Sequence, residues 1–278
     1  MDASLTFKLI KTSYTFVIDT ADMRNVYLHN LLKSEGFNVF TFESYVKLQY
    51  KVSKNTVYIF APACRVDAIH LSMIVPDAIV FCVNIEPKVA KNLVQKKVRI
   101  IDLFDDEKMV VENAMLTALG AWNIMRKDPL LNVVSLQKKA PLSALILGGG
   151  RVGYAMLRVL VDAGLQVSIS SKEPQERLRA QAFCSDVYPF GKHEKVLNSI
   201  DVIVNTVPSK VLGEAQLQVV KKDVLILDLA SGVGGVDFDM AKKLGLNVLH
   251  ALGIPGKQFA EQAAELIKNR VLGTLLKL

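Results

Sequence analysis

One stretch decides the fold of the second half of the chain: Leu145-Ile146-Leu147-Gly148-Gly149-Gly150-Arg151-Val152-Gly153. An apolar strand precedes the glycines and an apolar helix, residues 151–163, follows them, which is the context that a dinucleotide-binding loop requires. The first glycine of this pattern allows a tight turn, the second lets the backbone approach a pyrophosphate, and the last lets the helix pack on the strand. The sequence therefore predicts a Rossmann-type domain, and a glycine-rich turn without a ligand is the alternative. The predicted contacts with the cofactor in this loop are Gly148, Gly150, Arg151, Val152 and Gly153.

Strands and helices continue to alternate after the glycine loop. The predicted strands are residues 144–147, 166–170, 201–205, 224–228 and 247–249, with helices at 173–182 and 257–277. Ligands of open parallel sheets bind outside the carboxyl ends of the strands, so the loops at that edge are the next candidates. Two of these loops are small and polar, as a nicotinamide ribose and a substrate require. Their predicted cofactor contacts are Thr206, Val207, Pro208, Asp228 and Ala230.

The choice between the two nicotinamide dinucleotides depends on the end of the second predicted strand, about 20 residues past the glycine loop. A site for NAD usually places Asp or Glu there to bond the ribose hydroxyls. This chain has Ser170, Ser171 and Lys172, although Glu173 follows immediately. Hydroxyls and a cation suit the 2′-phosphate of NADP. The sequence therefore predicts NADP, bound in part by these three residues, with NAD as the alternative.

The first half of the chain predicts a second α/β domain. Its strand candidates are residues 14–18, 38–42, 56–61, 78–83 and 98–103, and apolar strands separated by helices favour a parallel sheet covered on both faces. A long helix is predicted over 105–126, and a connector over 130–139. We therefore expect a substrate domain at 1–127 and the dinucleotide domain at 128–256, with the C-terminal helix 257–278 packing back on the first. The fold class is α/β, with a mainly parallel sheet flanked by helices in each domain.

Composition narrows the class of protein. The chain has 278 residues, of which 51% are hydrophobic and 22% charged, and this balance describes a globular protein with a large core. No uninterrupted apolar run reaches the roughly 18 residues of a membrane span, and no signal peptide is recognised. The net charge of +7 is spread along the chain without a dense basic run, which disfavours nucleic-acid binding. This charge suits a phosphate-bearing cofactor and an acidic small substrate, and a surface that simply happens to be basic is the alternative. Three cysteines without metal-ligand spacing indicate reduced thiols in a cytoplasmic protein, and no metal site is predicted.

The loops of the second half resemble those of the dipicolinate synthase A-like family. The resemblance runs in order and spacing through Val204-Asn205-Thr206-Val207-Pro208-Ser209, then Leu225-Ile226-Leu227-Asp228-Leu229-Ala230-Ser231 with Gly234-Gly235 and Asp237-Phe238, then Gly253-Ile254-Pro255-Gly256. The first half is similar more faintly, through Asp22-Met23-Arg24 and through Leu103-Phe104 followed by Asn113, Thr117 and Gly120.

This resemblance implies an NADP-dependent oxidoreductase of two domains. It implies hydride transfer to or from a cyclic dihydro- or tetrahydrodipicolinate, a dicarboxylate made on the lysine pathway, during sporulation. The candidate catalytic residues are Asn113, Thr117 and Ser231, which are neutral groups suited to positioning a substrate. A flavoprotein-like second subunit is implied as a partner, and we expect a homo-oligomer that binds neither membranes nor nucleic acid.

The sequence departs from the family mainly on the substrate side. The family has Arg-Pro after the serine of the Asp-Leu-Ala-Ser loop, whereas this chain has Gly232 and Val233. An arginine that could clamp a carboxylate is therefore missing, and a glutamate that follows Asn113 in the family is missing as well. A non-catalytic NAD(P)-binding protein with a regulatory or structural role beside another subunit is the alternative function. A 2-hydroxy-acid dehydrogenase ranks lower, because His250 has no clear acidic partner in the sequence.

Overall fold

The computed structural model describes residues 9–47, 55–138, 140–184 and 186–278. The chain forms two compact units. The N-terminal unit comprises the chain up to Asn113 together with Pro255–Leu278, and the C-terminal unit comprises Ala114–Ile254. The division falls inside a long helix, whereas the sequence predicts it at residue 127, where Asp128 and Pro129 interrupt the helical pattern.

The N-terminal unit contains a parallel sheet of five strands in the order β2-β1-β3-β5-β7. This is the strand order of flavodoxin-like sheets. The first strand lies inside the sheet and is fully buried, which explains its uninterrupted apolar side chains. All five predicted strands are present: β1 (Thr15–Ile18), β2 (Asn38–Thr41), β3 (Thr56–Ile59), β5 (Ile79–Cys82) and β7 (Arg99–Asp102), while β4 (Arg65–Val66) and β6 (Asn84–Ile85) form a separate short pair.

Helices cover both faces of this sheet. The helix α1 begins after Asp22, whose side chain accepts the backbone N–H of Arg24, and it ends before Gly36, which has a φ of 84°. The C-terminal helix packs against α1, so the end of the chain completes the core of its first half. The helices are α1 (Met23–Ser34), α2 (Phe42–Lys47), α3 (Ala68–Leu71), α4 (Pro87–Gln95), α5 (Glu107–Met125, which continues into the C-terminal unit), α11 (Ile254–Gln258) and α12 (Ala260–Leu275).

The C-terminal unit contains a parallel sheet of six strands in the order β10-β9-β8-β11-β12-β13. The first strand lies in the middle, with the next two on one side and the last three on the other, which is the Rossmann order. The predicted α/β fold class, with a Rossmann domain in the second half, is confirmed. The strands are β8 (Ser143–Leu147), β9 (Gln166–Ser171), β10 (Asp186–Pro189), β11 (Val202–Asn205), β12 (Leu225–Asp228) and β13 (Asn247–His250).

Two features of this unit differ from the sequence-based expectation. Strand β10 is not predicted, because it is a half-buried edge strand with a proline at its end. The predicted connector at 130–139 is mostly helix, because Asp128 caps its start and Leu131 and Val134 are buried; its last residue lies outside the described residues. The helices are α6 (Pro129–Gln137), α7 (Arg151–Asp162), α8 (Pro174–Ala180), α9 (Glu214–Val219) and α10 (Phe238–Lys243), with a 3-10 helix at His193–Ser199.

Candidate active site

The glycine loop lies at the carboxyl end of β8, where the strand order reverses toward β9 on one side and β11 on the other. Gly148 has a φ of 101°, a region that residues with a side chain rarely adopt. A Cβ on Gly148 would overlap the hydroxyl of Thr206, and a Cβ on Gly153 would overlap the carbonyl oxygen of Gly148. The first and last glycines of the pattern are therefore required by the packing of the loop itself.

Gly150 differs from these two glycines, because the space above it is open. A Cβ there would meet only one atom, the Glu176 Oε1, at 4.0 Å. Gly150 is also the N-cap of α7, and it offers no side chain to the N–H groups of the first turn. An uncapped helix N-terminus under an open glycine is the arrangement that binds pyrophosphate. The start of α7 is therefore open at Gly150, and the predicted contacts of the cofactor with Gly150, Arg151 and Val152 stay a prediction.

Thr206 joins the glycine loop to the loop after β11. Its backbone N–H and its hydroxyl both donate to the carbonyl oxygen of Leu147, at 2.9 Å each. The hydroxyl is thus directed beneath the turn at Gly148, which makes Thr206 a support of the loop. Val207 and Pro208 follow at the surface, half-buried and exposed respectively, at the edge where a ligand would enter.

The two serines at the end of β9 face opposite ways, as successive strand residues do. Ser170 is fully buried, and its hydroxyl lies 2.8 Å from Nδ1 of His193, itself buried. Burial lowers the pKa of His193, which favours the neutral ring. The Ser170 side chain therefore does not fit the predicted contact with the cofactor, because it is directed to the 3-10 helix.

Ser171 has the orientation that the prediction requires, but its partner is unexpected. Its hydroxyl donates to the carboxylate of Glu176 on α8 and accepts the backbone N–H of Glu173 at 3.2 Å. Lys172 is exposed, and Arg177 donates to the carbonyl oxygens of Ser171 and Lys172. Sequence reasoning missed Glu176, because the acidic residue of such sites is sought at the end of the strand and not in the following helix.

The loops after β11 and β12 are held by a buried polar network. Asp228 is fully buried; its Oδ1 accepts from Asn205 Nδ2 at 2.9 Å and from Ala230 N at 3.0 Å, and its Oδ2 accepts from Gly235 N at 2.8 Å. Asn205 also bonds both N and O of Val207 at 3.1 Å. Asp228 thus does not fit the predicted role of a cofactor contact. It positions the loop that carries Ala230, which is itself buried.

The three candidate catalytic residues lie on two elements. Asn113 and Thr117 are half-buried and one turn apart on α5, so they share a helix face. Ser231 is exposed in the loop after β12. Their joint role in catalysis stays a prediction.

The three cysteines are free thiols, and burial raises the pKa of Cys64 to about 12 and that of Cys82 and Cys184 to about 11.

Sites of two other classes are absent from the described part of the chain. No group of His, Cys, Asp or Glu there could hold a metal ion. No described helix is long and apolar enough to span a membrane. The candidate site is therefore the glycine loop with the neighbouring strand ends. The two sheets and this site together define the class: a two-unit α/β protein with a Rossmann-type dinucleotide domain.

Known proteins with similar sequences agree with this class. Residues 144–232 match the family model described as NADP oxidoreductase, coenzyme F420-dependent. The A subunit of dipicolinate synthase from Bacillus subtilis (strain 168) is 29% identical over 184 residues, which cover 66% of this chain and 59% of the relative. The match thus spans about three fifths of that relative's length. The resemblance recognised in the sequence motifs is confirmed.

Solved structures share the fold over nearly the whole chain. The A subunit of dipicolinate synthase from Bacillus halodurans superposes with a TM-score of 0.78 at 20% identity, covering 96% of this chain and 98% of that one. The D-lactate dehydrogenase of Escherichia coli superposes with a TM-score of 0.61 at 18% identity, covering 95% and 97%. At these identities the likeness shows the fold, which this chain shares with dehydrogenases.

Proposed function

We propose that this chain is a dipicolinate synthase A-like oxidoreductase that binds a nicotinamide dinucleotide and transfers a hydride to or from a cyclic dihydro- or tetrahydrodipicolinate-type dicarboxylate. The glycine loop carries the proposal: Gly148 and Gly153 are sterically required, and Gly150 leaves an open cradle at an uncapped helix N-terminus. The sequence similarity to the A subunit of dipicolinate synthase supports the class of substrate.

The protein's part in this reaction is to bind and orient, since the nicotinamide supplies or accepts the hydride. The backbone N–H groups of the first turn of α7 would donate to the pyrophosphate, and the buried Asp228–Asn205 pair would fix the two loops at the nicotinamide end. The three candidate catalytic residues carry no charge, so their part would be to position the substrate through hydrogen bonds. They are Asn113, Thr117 and Ser231. The overall positive charge favours a dianionic substrate at the encounter stage.

The proposal includes the setting implied by the relatives. The dipicolinate synthase relative is by name one subunit of an enzyme, so we propose that this chain works with a second, flavoprotein-like subunit in the cytoplasm during sporulation. One observation favours a non-catalytic NAD(P)-binding protein as the second candidate. Gly232 and Val233 are exposed where the family has Arg-Pro, so this loop has no cation for a substrate carboxylate.

Calorimetric titration with NADPH and NADH at matched ionic strength tests the proposal. Gly153→Ala is the loss-of-site variant, because its Cβ overlaps the Gly148 carbonyl oxygen. Gly273→Ala is its control, since that helical glycine has open space around its Cβ position, and alanine there is expected to stabilise the protein by roughly 1 kcal/mol.

We expect the wild type and Gly273→Ala to bind a dinucleotide and Gly153→Ala to lose at least tenfold in affinity, about 1.4 kcal/mol. A folded wild type that binds neither dinucleotide would contradict the proposal. Turnover of dipicolinate precursors, with and without the partner, then separates the enzyme from the non-catalytic protein.

A further inference from the structure

The glycine loop contains one glycine that the dinucleotide pattern does not require. The pattern uses Gly148, Gly150 and Gly153, and the position between the first two accepts other residues. In this chain that position is Gly149. A Cβ on Gly149 would lie 2.8 Å from Cβ and 2.9 Å from Oε2 of Glu176. The additional glycine, Gly149, is therefore explained by the glutamate side chain that lies against it.

Glu176 is held in this place by the strand end. Its carboxylate accepts the hydroxyl of Ser171, whose side chain is buried beside the glycine loop, 3.1 Å from the Cβ position of Gly149. Within the described residues, the partner of this carboxylate is a hydroxyl and not a cation. Glu176 is half-buried, and its Oε1 lies 4.0 Å from the Cβ position of Gly150, at the open space above that glycine.

We infer that Glu176 is the specificity-determining residue for the adenosine ribose and that it selects NAD(H) against NADP(H). The inference rests on the proposed dinucleotide site. In Rossmann sites a carboxylate near the end of the second strand accepts the ribose hydroxyls, and here helix α8 supplies it in place of the strand. A carboxylate that accepts a buried serine hydroxyl is equally suited to accept a ribose hydroxyl. A 2′-phosphate would instead meet a like charge at this position.

Two cations near the end of β9, Arg177 and Lys172, do not cancel this effect. Arg177 uses one end of its guanidinium on the carbonyl oxygens of Ser171 and Lys172, at 2.8 and 2.7 Å. Lys172 is exposed to solvent, where its attraction for a phosphate is screened by salt. The half-buried carboxylate is screened less than the exposed ammonium. The preference for NADP that Ser170, Ser171 and Lys172 predict is thus opposed by the residue that the sequence pattern overlooks.

The test is calorimetric titration of NADH and NADPH into the full chain and two variants. Glu176→Gln keeps the shape of the side chain and removes its charge. Glu173→Gln makes the same change on an exposed side chain that caps nothing, at the start of the same helix. We expect wild type and Glu173→Gln to bind NADH more tightly than NADPH. We expect Glu176→Gln to shift the ratio of the two dissociation constants toward NADPH by about tenfold or more.

The outcomes separate this inference from the proposed function. Tight binding of NADPH by the wild type, with a ratio that Glu176→Gln leaves unchanged, would overturn the role of Glu176 and leave the dinucleotide site intact. An equal shift in Glu173→Gln would also overturn it, because the effect would then come from net charge or from Glu173 and would not be specific to Glu176. Binding of neither dinucleotide by any folded variant would contradict the proposed function itself. Thermal melting of each variant confirms that it is folded.

Discussion

The carboxylate of Asp228 is the buried acceptor on which two loops of the site depend. Both of its oxygens accept N–H groups, from Asn205, Ala230 and Gly235, and it is fully buried. Asp228→Asn would turn an amide N–H₂ toward at least one of these donors. An unsatisfied buried pair of this kind costs about 2 kcal/mol. We expect that loss in the free energy of unfolding, measured by urea denaturation, together with weaker dinucleotide binding.

Asp223→Asn is the matched control for this change. Asp223 is exposed just before β12, so its substitution is expected to change stability by less than about 0.5 kcal/mol. A loss of similar size in both variants would mean that the effect comes from net charge and not from the network. Gly234 and Gly235 belong to the same arrangement, since a Cβ on either would overlap Asp228 or Asn205.

Single residues also show which contacts could be predicted from the sequence and which could not. The glycine pattern predicts the turn, the open cradle and the helix that follows, because those depend on local backbone geometry. The strand-end pattern treats Ser170 and Ser171 alike, although alternation along β9 sends the first to His193 and the second to Glu176. The register of a strand relative to its two faces is a tertiary property. For this reason the contact between Glu176 and Gly149 could not be predicted from spacing.

The amino ends of β8 and β11 are tied together by one buried aspartate. Burial raises the pKa of Asp201, but hydrogen bonds from Lys138, Lys221 and Ser143 outweigh it and hold that pKa well below the usual range. Lys138 lies at the end of α6, so the carboxylate also anchors this helix to the sheet. The stabilisation requires the ionised form, which is present at pH values above the ordinary aspartate pKa of about 3.9.

We therefore expect Asp201→Asn to lower the free energy of unfolding by an amount that depends on pH. The folded-state pKa is depressed, so the wild type keeps its advantage above about pH 4 and loses it as the pH falls toward the folded-state value. We expect a deficit of roughly 2 kcal/mol in the variant at pH 5–7 that shrinks by pH 3. Urea denaturation of both proteins across this range measures it. A deficit that is the same at pH 7 and pH 3 would show that the charge of Asp201 contributes nothing.

Elements differ in how far the sequence predicts them. The central strands are predicted because both faces are buried and their side chains are uniformly apolar, as in β11. Strand β10 is missed because edge strands carry mixed side chains and tolerate proline. Helix α6 is missed because Asp128-Pro129 is interpreted as a stop, although the same pair caps a new helix. Both failures occur where one local signal has two structural meanings.

The chain leaves its first unit and returns to it at the end. The N-terminal unit is completed by α12, which contributes buried side chains to the core built on β1 and α1. Lys268 on α12 also bonds Glu35 at 2.7 Å, just beyond α1. These buried side chains are Ala264, Ile267, Val271, Leu272 and Leu275. The share of this core that α12 supplies is synthesised last, after every strand of the other sheet.

Substitution at the centre of α12 should therefore act on one unit and spare the other. Ile267 is 1% exposed, and Ile267→Asp would bury an unpaired charge at a cost above about 4 kcal/mol. Hydrogen exchange read by mass spectrometry should show loss of protection in β1, β3 and α1, with protection retained in β8 and β11. Glu261→Ala, an exposed position on the same helix, is expected to leave both patterns unchanged. Equal loss of protection in both sheets would show that the chain unfolds as one cooperative body. Retained protection in β1 would show that the N-terminal core does not require α12.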